Sequence, residues 1–307
     1  MAELKQFIFF DFEMKCDDRG MAFEDMEAIR LGAVKYDLDT KQISYFDKYI
    51  NPTTPWPLSN FCKQLTGISD RDLKTADSFP AVFKEFLFWI GGVKKSRFFS
   101  WSKSDMTRLK LDSERHGLHE VTIEKIESRY VDFQETFSKH VSKDNLSVAN
   151  ALGLYGVEFK GAAHNPMYDA FNTLQIFLHY YSQPLISDIE MAKAFILPGE
   201  EVDPDNINAK ISQALIKDFT LLAENLHFAF RLRDAKKLLK KAGKTVKKYE
   251  NILINRSGVF TEDVQRLVEH LVTFHVNLRE SYQEHYAYSS RVMIMDDHSM
   301  NSIKHLK

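Results

Sequence analysis

The stretch Phe7-Ile8-Phe9-Phe10-Asp11-Phe12-Glu13 decides the fold. Its unbroken run of Phe and Ile reads as a strand buried on both faces. Side chains i and i+2 of a strand share a face, so Asp11 and Glu13 leave the end of this element on the same side. Two crowded carboxylates repel each other unless a proton or a cation intervenes. A hard divalent ion, Mg²⁺ or Mn²⁺, suits such oxygen ligands. The pair alone is weak evidence, because Asp-x-Glu arises about once by chance in a chain of this length.

The 307 residues suggest one large domain or two smaller ones. A hydrophobic fraction of 44% and a charged fraction of 27% are ordinary for a soluble globular protein with a sizeable core. The net charge of −2 makes any nucleic-acid surface local rather than global. Cys16 and Cys62 are too few for a disulfide scaffold and fit a reducing cytoplasm. The N-terminal apolar run is short, contains an acid and lacks a basic n-region with a cleavage site. No stretch approaches the roughly 18 apolar residues of a membrane helix, so the expectation is a cytoplasmic protein with no membrane partner.

Outward from the first strand, residues 28–36 and 43–50 read as two more strands, joined by short polar turns into an antiparallel meander. A proline-rich loop covers residues 51–57. Ser69 reads as a helix N-cap, with Asp70 and Asp72 in the first turn. Helical spacing follows over residues 79–90, then a short strand at 97–101, and Ser104 as the cap of a helix bearing Asp105. Another strand is expected at 130–133, and short helices around 134–139 and 148–154. Pro166 sits where a first helical residue would, opening a helix to about Tyr181. The predicted fold class is α/β: a mixed β-sheet flanked by helices, then a mainly α-helical C-terminal region. The boundary falls near Gln183, giving domains of 1–183 and 184–307, with no strand expected in the second.

Three places offer groups for one cation site. They are Asp11 with Glu13, Asp105 where a strand turns into a helix, and Asp169 early in the long helix with His164 on the loop before it. Four carboxylates could hold two Mg²⁺ about 3.5–4 Å apart, the arrangement that clamps attacking and leaving oxygens in phosphodiester hydrolysis. A neutral His beside them could take a proton from the attacking water.

The segments Asp11-Phe12-Glu13, Ser100-Trp101-Ser102-Lys103-Ser104-Asp105-Met106 and His164-Asn165-Pro166-Met167-Tyr168-Asp169-Ala170 together resemble the DEDDh branch of the DnaQ-like, ribonuclease H-fold 3′→5′ exonucleases. Residues 58–69 and 75–80 resemble the KapD-like and histone-mRNA-exonuclease-like subgroup between its first two motifs. The resemblance covers about residues 4–183. It implies a ribonuclease H-like sheet and a two-metal exonuclease with Mg²⁺ or Mn²⁺. The ions would be ligated by Asp11, Glu13, Asp105 and Asp169, with His164 as general base. It further implies that the backbone at Phe12 and Met14 lies near the terminal nucleotide, with Phe12 wedging against its base or sugar, and that Leu65, Thr66, Gly67 and Ile68 line its pocket. Trp101 could stack a base. Single-stranded nucleic acid is the implied partner, with RNA favoured over DNA. The alternatives are a 3′→5′ DNA exonuclease and a catalytically silent nucleic-acid-binding or scaffold protein.

The tail has no counterpart in that resemblance. Residues 188–196 read as a short helix, followed by an acidic loop. Leu232, Ala235, Leu239, Ala242, Val246, Tyr249 and Leu253 form an apolar seam, continued after a break by Val264, Leu267, Leu271, Phe274 and Leu278. Thr261 can cap the second helix. The expectation is an antiparallel helical hairpin within about residues 206–288. Its first arm carries seven lysines from Lys236 to Lys248. These serve either as a solvated face, partly neutralised by acids of the second arm, or as a hold on nucleic-acid backbone. Self-association or a protein partner is the other role open to these helices.

Overall fold

The computed structural model describes residues 3–54, 57–224, 229–288 and 291–295, the side chains of 229 and 230 aside. Residues 55–56 of the proline-rich loop and 225–228 of the hairpin region lie outside the described residues. The chain forms two compact units. The first comprises Met1–Ser138 with Asn145–Ser182, and the second Lys139–Asp144 with Gln183–Lys307.

In the first unit, β1 (Gln6–Met14), β2 (Ala28–Asp37) and β3 (Ile43–Asn51) form the expected antiparallel meander. After it come α1 (Asn60–Thr66), α2 (Asp70–Lys74), β4 (Asp77–Ser78), α3 (Phe79–Ile90), β5 (Ser96–Ser100), α4 (Lys103–Arg115) and α5 (Glu120–Glu127). Next are β6 (Tyr130–Asp132), α6 (Phe133–Phe137), α7 (Val148–Leu154) and α8 (Pro166–Ser182). The sheet order is β4-β3-β2-β1-β5-β6, with β5 parallel to both β1 and β6. It is thus a mixed sheet flanked by helices, with β1 near its centre.

The pleat of β1 assigns its residues. Ile8, Phe10 and Phe12 belong to a core shared with α3, α4 and α5. Phe7 and Phe9 point the other way, with ring centroids 5.2 and 5.4 Å from Phe177 of α8. Asp11 and Glu13 continue the odd series, so the same alternation that buries the phenylalanines turns both acids toward the face that α8 covers. Helix α8 lies directly on the sheet backbone at Gly32, which pairs with Asp11. A Cβ at Gly32 would stand 2.0 Å from the Met167 nitrogen and 2.2 Å from the Pro166 carbonyl carbon.

Two local expectations are corrected. The cap of α4 is Ser102, whose side chain accepts from the Ser104 backbone N–H, so Ser104 is already inside the helix. The helix expected at 134–139 is α6 followed by a π-helical turn over Ser138–Ser142. The cap at Ser69 holds and forms a capping box with Asp72.

In the second unit come α9 (Pro184–Phe195), α10 (Ile207–Ala223), β7 (Ala229–Arg231), α11 (Leu232–Tyr249), α12 (Glu262–Ala287) and β8 (Val292–Ile294). The expectation of no strand here is wrong: β7 and β8 pair antiparallel across the open end of the α11–α12 hairpin. Both strands are three residues long, too short for a periodic signal. The seam is the expected one, except that Leu238 rather than Leu239 is fully buried, Val268 joins it, and Leu232, Leu253 and Leu267 are only partly buried against it. The helix expected at 188–196 begins earlier, at Pro184. Thr261 occupies the N-cap of α12 without a side-chain capping hydrogen bond. No helix among the described residues is long and apolar enough to cross a membrane.

Two glycine substitutions should have opposite signs. Gly32→Ala puts a methyl group against backbone that cannot rotate away, and should cost about 1–3 kcal/mol or more. Gly153→Ala, inside α7 with nothing within 4 Å of the added carbon, should stabilise by about 0.5–1 kcal/mol. Urea unfolding of the two variants checks both; equal midpoints would refute the close approach of α8 to β2.

Candidate active site

The four acids come from three elements. Asp11 and Glu13 sit at the end of β1 on the α8 side. Asp105 stands in the first turn of α4, and its Oδ1 accepts the Phe12 backbone N–H at 3.1 Å. Asp169 belongs to the first turn of α8. Asn165 caps that helix, with Oδ1 accepting from Met167 and Tyr168 N–H at 3.2 and 3.4 Å. His164 precedes it at φ 60°, a left-handed backbone in which Asn, Asp and His are the commonest non-glycine residues. This turn aims the His164 N–H at the Asp169 carboxylate, so one loop conformation positions both residues.

Helix α4 is fixed by a buried ion pair. Arg108 is fully buried, and its guanidinium donates to the Phe23 and Met26 carbonyls of the β1–β2 connection. It also pairs with Asp112 at 3.0 Å, whose other oxygen accepts the Ala28 N–H at 2.8 Å. Losing Arg108 would leave buried Asp112 with only the longer Arg115 contact at 3.4 Å and the Ala28 N–H, and should destabilise the fold.

Oxygen atoms of Asp11, Glu13 and Asp169 lie within 4.8 Å of one another. Asp105 joins them in lining a cleft of about 590 Å³ with Met14, Trp101 and His164. Burial pushes all four carboxyl groups up, and repulsion from neighbouring acids adds to this at Asp11, Glu13 and Asp105. Asp11 lies well above the usual carboxylate range, from burial first and then from Asp105, Asp169 and Glu13. Glu13 is pushed up to about 8 by burial and by Asp169 and Asp105. Burial lifts Asp105 to about 7 against hydrogen bonds from the Phe12 and Asp105 N–H groups and Ser100, and lifts Asp169 to about 6. The His164 side chain is 53% exposed, with Nδ1 3.9 Å from Glu13 Oε1. The arrangement can bind protons or a divalent cation, and it places an imidazole at the edge of the same carboxylates.

The five motif residues therefore converge, but the expected substrate contacts divide. Met14 and Trp101 line the cleft. Trp101 is nevertheless only 8% exposed, its indole N–H donates to the Leu146 carbonyl, and its ring packs edge-on to Phe133, so it serves as wall rather than free platform. Phe12 also lines the cleft, but its residue is only 4% exposed and belongs to the α3–α5 core. Leu65, Thr66, Gly67 and Ile68 are not among the cleft residues. Ile68 is buried with Ile29, Leu58, Cys62 and Leu73, and the Thr66 hydroxyl is spent on the Cys62 carbonyl. Gly67 is the left-handed C-cap of α1, and Leu65 points outward from that helix, 39% exposed. The sequence reading missed Ser147, Val148 and Ala149 at the start of α7, and Phe159, Gly161 and Ala163. One signal was available. Gly161, at φ +85°, stands where a Cβ would meet the Tyr168 ring at 2.3 Å, which explains the glycine at this position.

Comparison with known proteins gives a consistent result. The exonuclease family profile, RNase_T, matches residues 8–177. The 3'-5' exonuclease crn-4 of Caenorhabditis elegans is 24% identical over 181 residues, covering 55% of this chain and 60% of its own length. ERI1 exoribonuclease 2 of Homo sapiens is 25% identical over 188 residues, covering 54% of this chain and 27% of its own. This chain therefore spans less than two thirds of either relative. The nuclease domain of 3'hExo, a DEDDh family member solved bound to rAMP, shares the fold. Its TM-score is 0.54 at 22% identity, over 61% of this chain and 96% of that one.

The raised carboxyl groups fix a pH dependence. Between the unfolded carboxylate range near pH 4 and the folded values up to about 8, the folded cluster holds protons that the unfolded chain has released. Stability in EDTA should therefore fall as pH rises from 5 to 8.5. Asp11→Asn should raise Tm more at pH 8.5 than at pH 5, and Mg²⁺ should stabilise the wild type more at pH 8.5. Calorimetry showing a flat or rising Tm in EDTA over that range would contradict the mutual repulsion.

Proposed function

The chain belongs to the RNase_T family of exonucleases, and from that premise we propose that it removes nucleotides from the 3′ end of single-stranded RNA, releasing nucleoside 5′-monophosphates. The observation that carries this is the convergence of Asp11, Glu13, Asp105, Asp169 and His164 on one cleft, from β1, α4, α8 and the loop before α8. Their order and spacing are those of the DEDDh branch. RNA is favoured because one relative is by name an exoribonuclease.

The donor set fits divalent ions: four carboxylates, oxygen only, whose charge is costly unless neutralised. Asp11, Glu13, Asp105 and Asp169 would hold Mg²⁺ or Mn²⁺, and such ions supply positive charge to the phosphodiester oxygens. The His164 imidazole, solvent-accessible and with Nδ1 on the Glu13 side, would take the proton of the attacking water at Nε2. Water attacks phosphorus, the bond to the 3′ oxygen of the shortened strand breaks, and that oxygen takes a proton from solvent to leave as a hydroxyl. Met14 and the Trp101 wall would bound the terminal nucleoside. We also propose that residues 1–183 are the catalytic domain, 184–307 a second domain, and the cytoplasm the location, in keeping with two free cysteines.

The test is digestion of 5′- and 3′-labelled RNA and DNA, single- and double-stranded, with Mg²⁺, Mn²⁺ or EDTA. A 5′ label on single-stranded RNA should give a stepwise ladder, a 3′ label only mononucleotide, and EDTA should stop both. Cutting of a circular strand would show an endonuclease instead. His164→Asn, which tolerates the left-handed backbone, should lower the rate by roughly 10²–10⁴ with Tm retained. Asp169→Asn should abolish cleavage; a folded variant with wild-type rate would refute the site.

A further inference from the structure

The second unit carries a charged surface that the cleft chemistry does not use. Helix α11 bears Lys236, Lys237, Lys240, Lys241, Lys244, Lys247 and Lys248, with Arg233 and a single acid, Asp234. Contacts within α11 and with α10 divide these lysines into two groups. Lys237 pairs with Asp234 at 3.5 Å, Lys241 donates to the Leu221 carbonyl at 2.8 Å, and Lys248 pairs with Asp218 of α10 at 2.8 Å. Lys236, Lys240, Lys244 and Lys247 are exposed, and among the described residues they join no ion pair or hydrogen bond.

The four unpaired lysines fall within about 80° of the helix circumference, nearly opposite the buried seam of Ala235, Leu238, Ala242, Val246 and Tyr249. They run along about 16 Å of the axis, in steps near 6 Å between Lys236, Lys240 and Lys244. Among the described residues no ion pair links α11 to the acids Glu262, Asp263, Glu269, Glu280 or Glu284 of α12, and Asp263 is engaged by Arg266. The second arm therefore offers these four lysines no direct ion pair among the described residues. Four like charges in a row on one helix repel one another, at i,i+4 by a few tenths of a kcal/mol per pair. A linear polyanion with a charge repeating every few ångströms relieves that repulsion.

We propose that the Lys236–Lys240–Lys244–Lys247 face of α11 binds the phosphodiester backbone of single-stranded RNA, as a second contact on the substrate of the proposed nuclease. The inference rests on that reading for the identity of the polyanion. Flexible lysines contact phosphate as point charges, so the surface adds affinity without sequence preference and weakens with salt.

The experiment uses the full chain in two arms. In EDTA, where cleavage is off, fluorescence anisotropy measures binding of a labelled oligouridylate of about 30 nucleotides over a salt series. Changing the four lysines together to Glu should weaken Kd at least roughly tenfold and lower the salt slope by about 3, whereas changing them to Arg should leave both near wild type. With Mg²⁺, hydrolysis of a trinucleotide should be the same for all three proteins, because none of the four lysines lines the cleft. Should the Glu variant be poorly folded by circular dichroism, the milder Lys240→Gln, Lys244→Gln pair should still weaken binding about two- to threefold. Unchanged oligonucleotide binding by a folded Glu variant overturns the proposal, even if trinucleotide hydrolysis proceeds. Failure of hydrolysis in the wild type, with lysine-dependent binding intact, would sink the nuclease reading and leave the RNA surface standing.

Discussion

The contact on which the site depends is one of backbone on backbone. The first turn of α8 rests on β2 at Gly32 with no side chain between them. Any larger residue there would lift the helix and carry Asp169 away from Asp11, the strand partner of Gly32. The sheet supplies Asp11 and Glu13 through its pleat, and α8 can bring a third carboxylate to the same face only by approaching this closely. The aromatic cluster of Phe7, Phe9, Phe99 and Phe177 continues the same interface and favours it by burial of apolar surface.

That closeness has an electrostatic cost. Four carboxyl groups are held where burial and mutual repulsion oppose ionisation, and the fold tolerates them because their frames are fixed by hydrogen bonds. The Phe12 N–H holds Asp105, and the His164 N–H holds Asp169. The left-handed turn at His164 and the Asn165 cap are local features of the α8 entry, and they aim acid and imidazole together. On the opposite side, Arg108 and Asp112 tie α4 to the β1–β2 connection, so that Asp105 arrives from a helix that cannot slide. A site under internal repulsion is well prepared to take up a cation, since binding removes what burial has stored.

The second unit follows a different logic. Its core is a helical seam closed at one end by the β7–β8 pair, and its charge is segregated by packing. Lysines on the flank turned to α10 find an aspartate or a carbonyl oxygen, whereas those opposite the seam find only solvent. The sequence shows seven similar lysines on this helix; packing makes four of them available.

The sequence by itself determined the sheet and the acids. Alternation in β1 fixes which face Asp11 and Glu13 occupy, because a strand has a period of two whatever surrounds it. Pro166 and Ser69 mark helix starts through backbone chemistry that needs no tertiary partner. The order Asp-x-Glu, Asp, His-x4-Asp carried the family. Only the tertiary structure decided how far the resemblance extends around the cleft. Ile68 looks like a pocket residue in a linear reading, yet it is claimed by a core that forms from distant segments. Ser147 to Ala149 enter the cleft from a helix with no chemical signature of its own. The short pair β7–β8 joins residues about sixty positions apart, and three residues are too few to show a period. Local pattern specifies elements and directions; which atoms meet is settled by packing between parts of the chain that no local pattern connects.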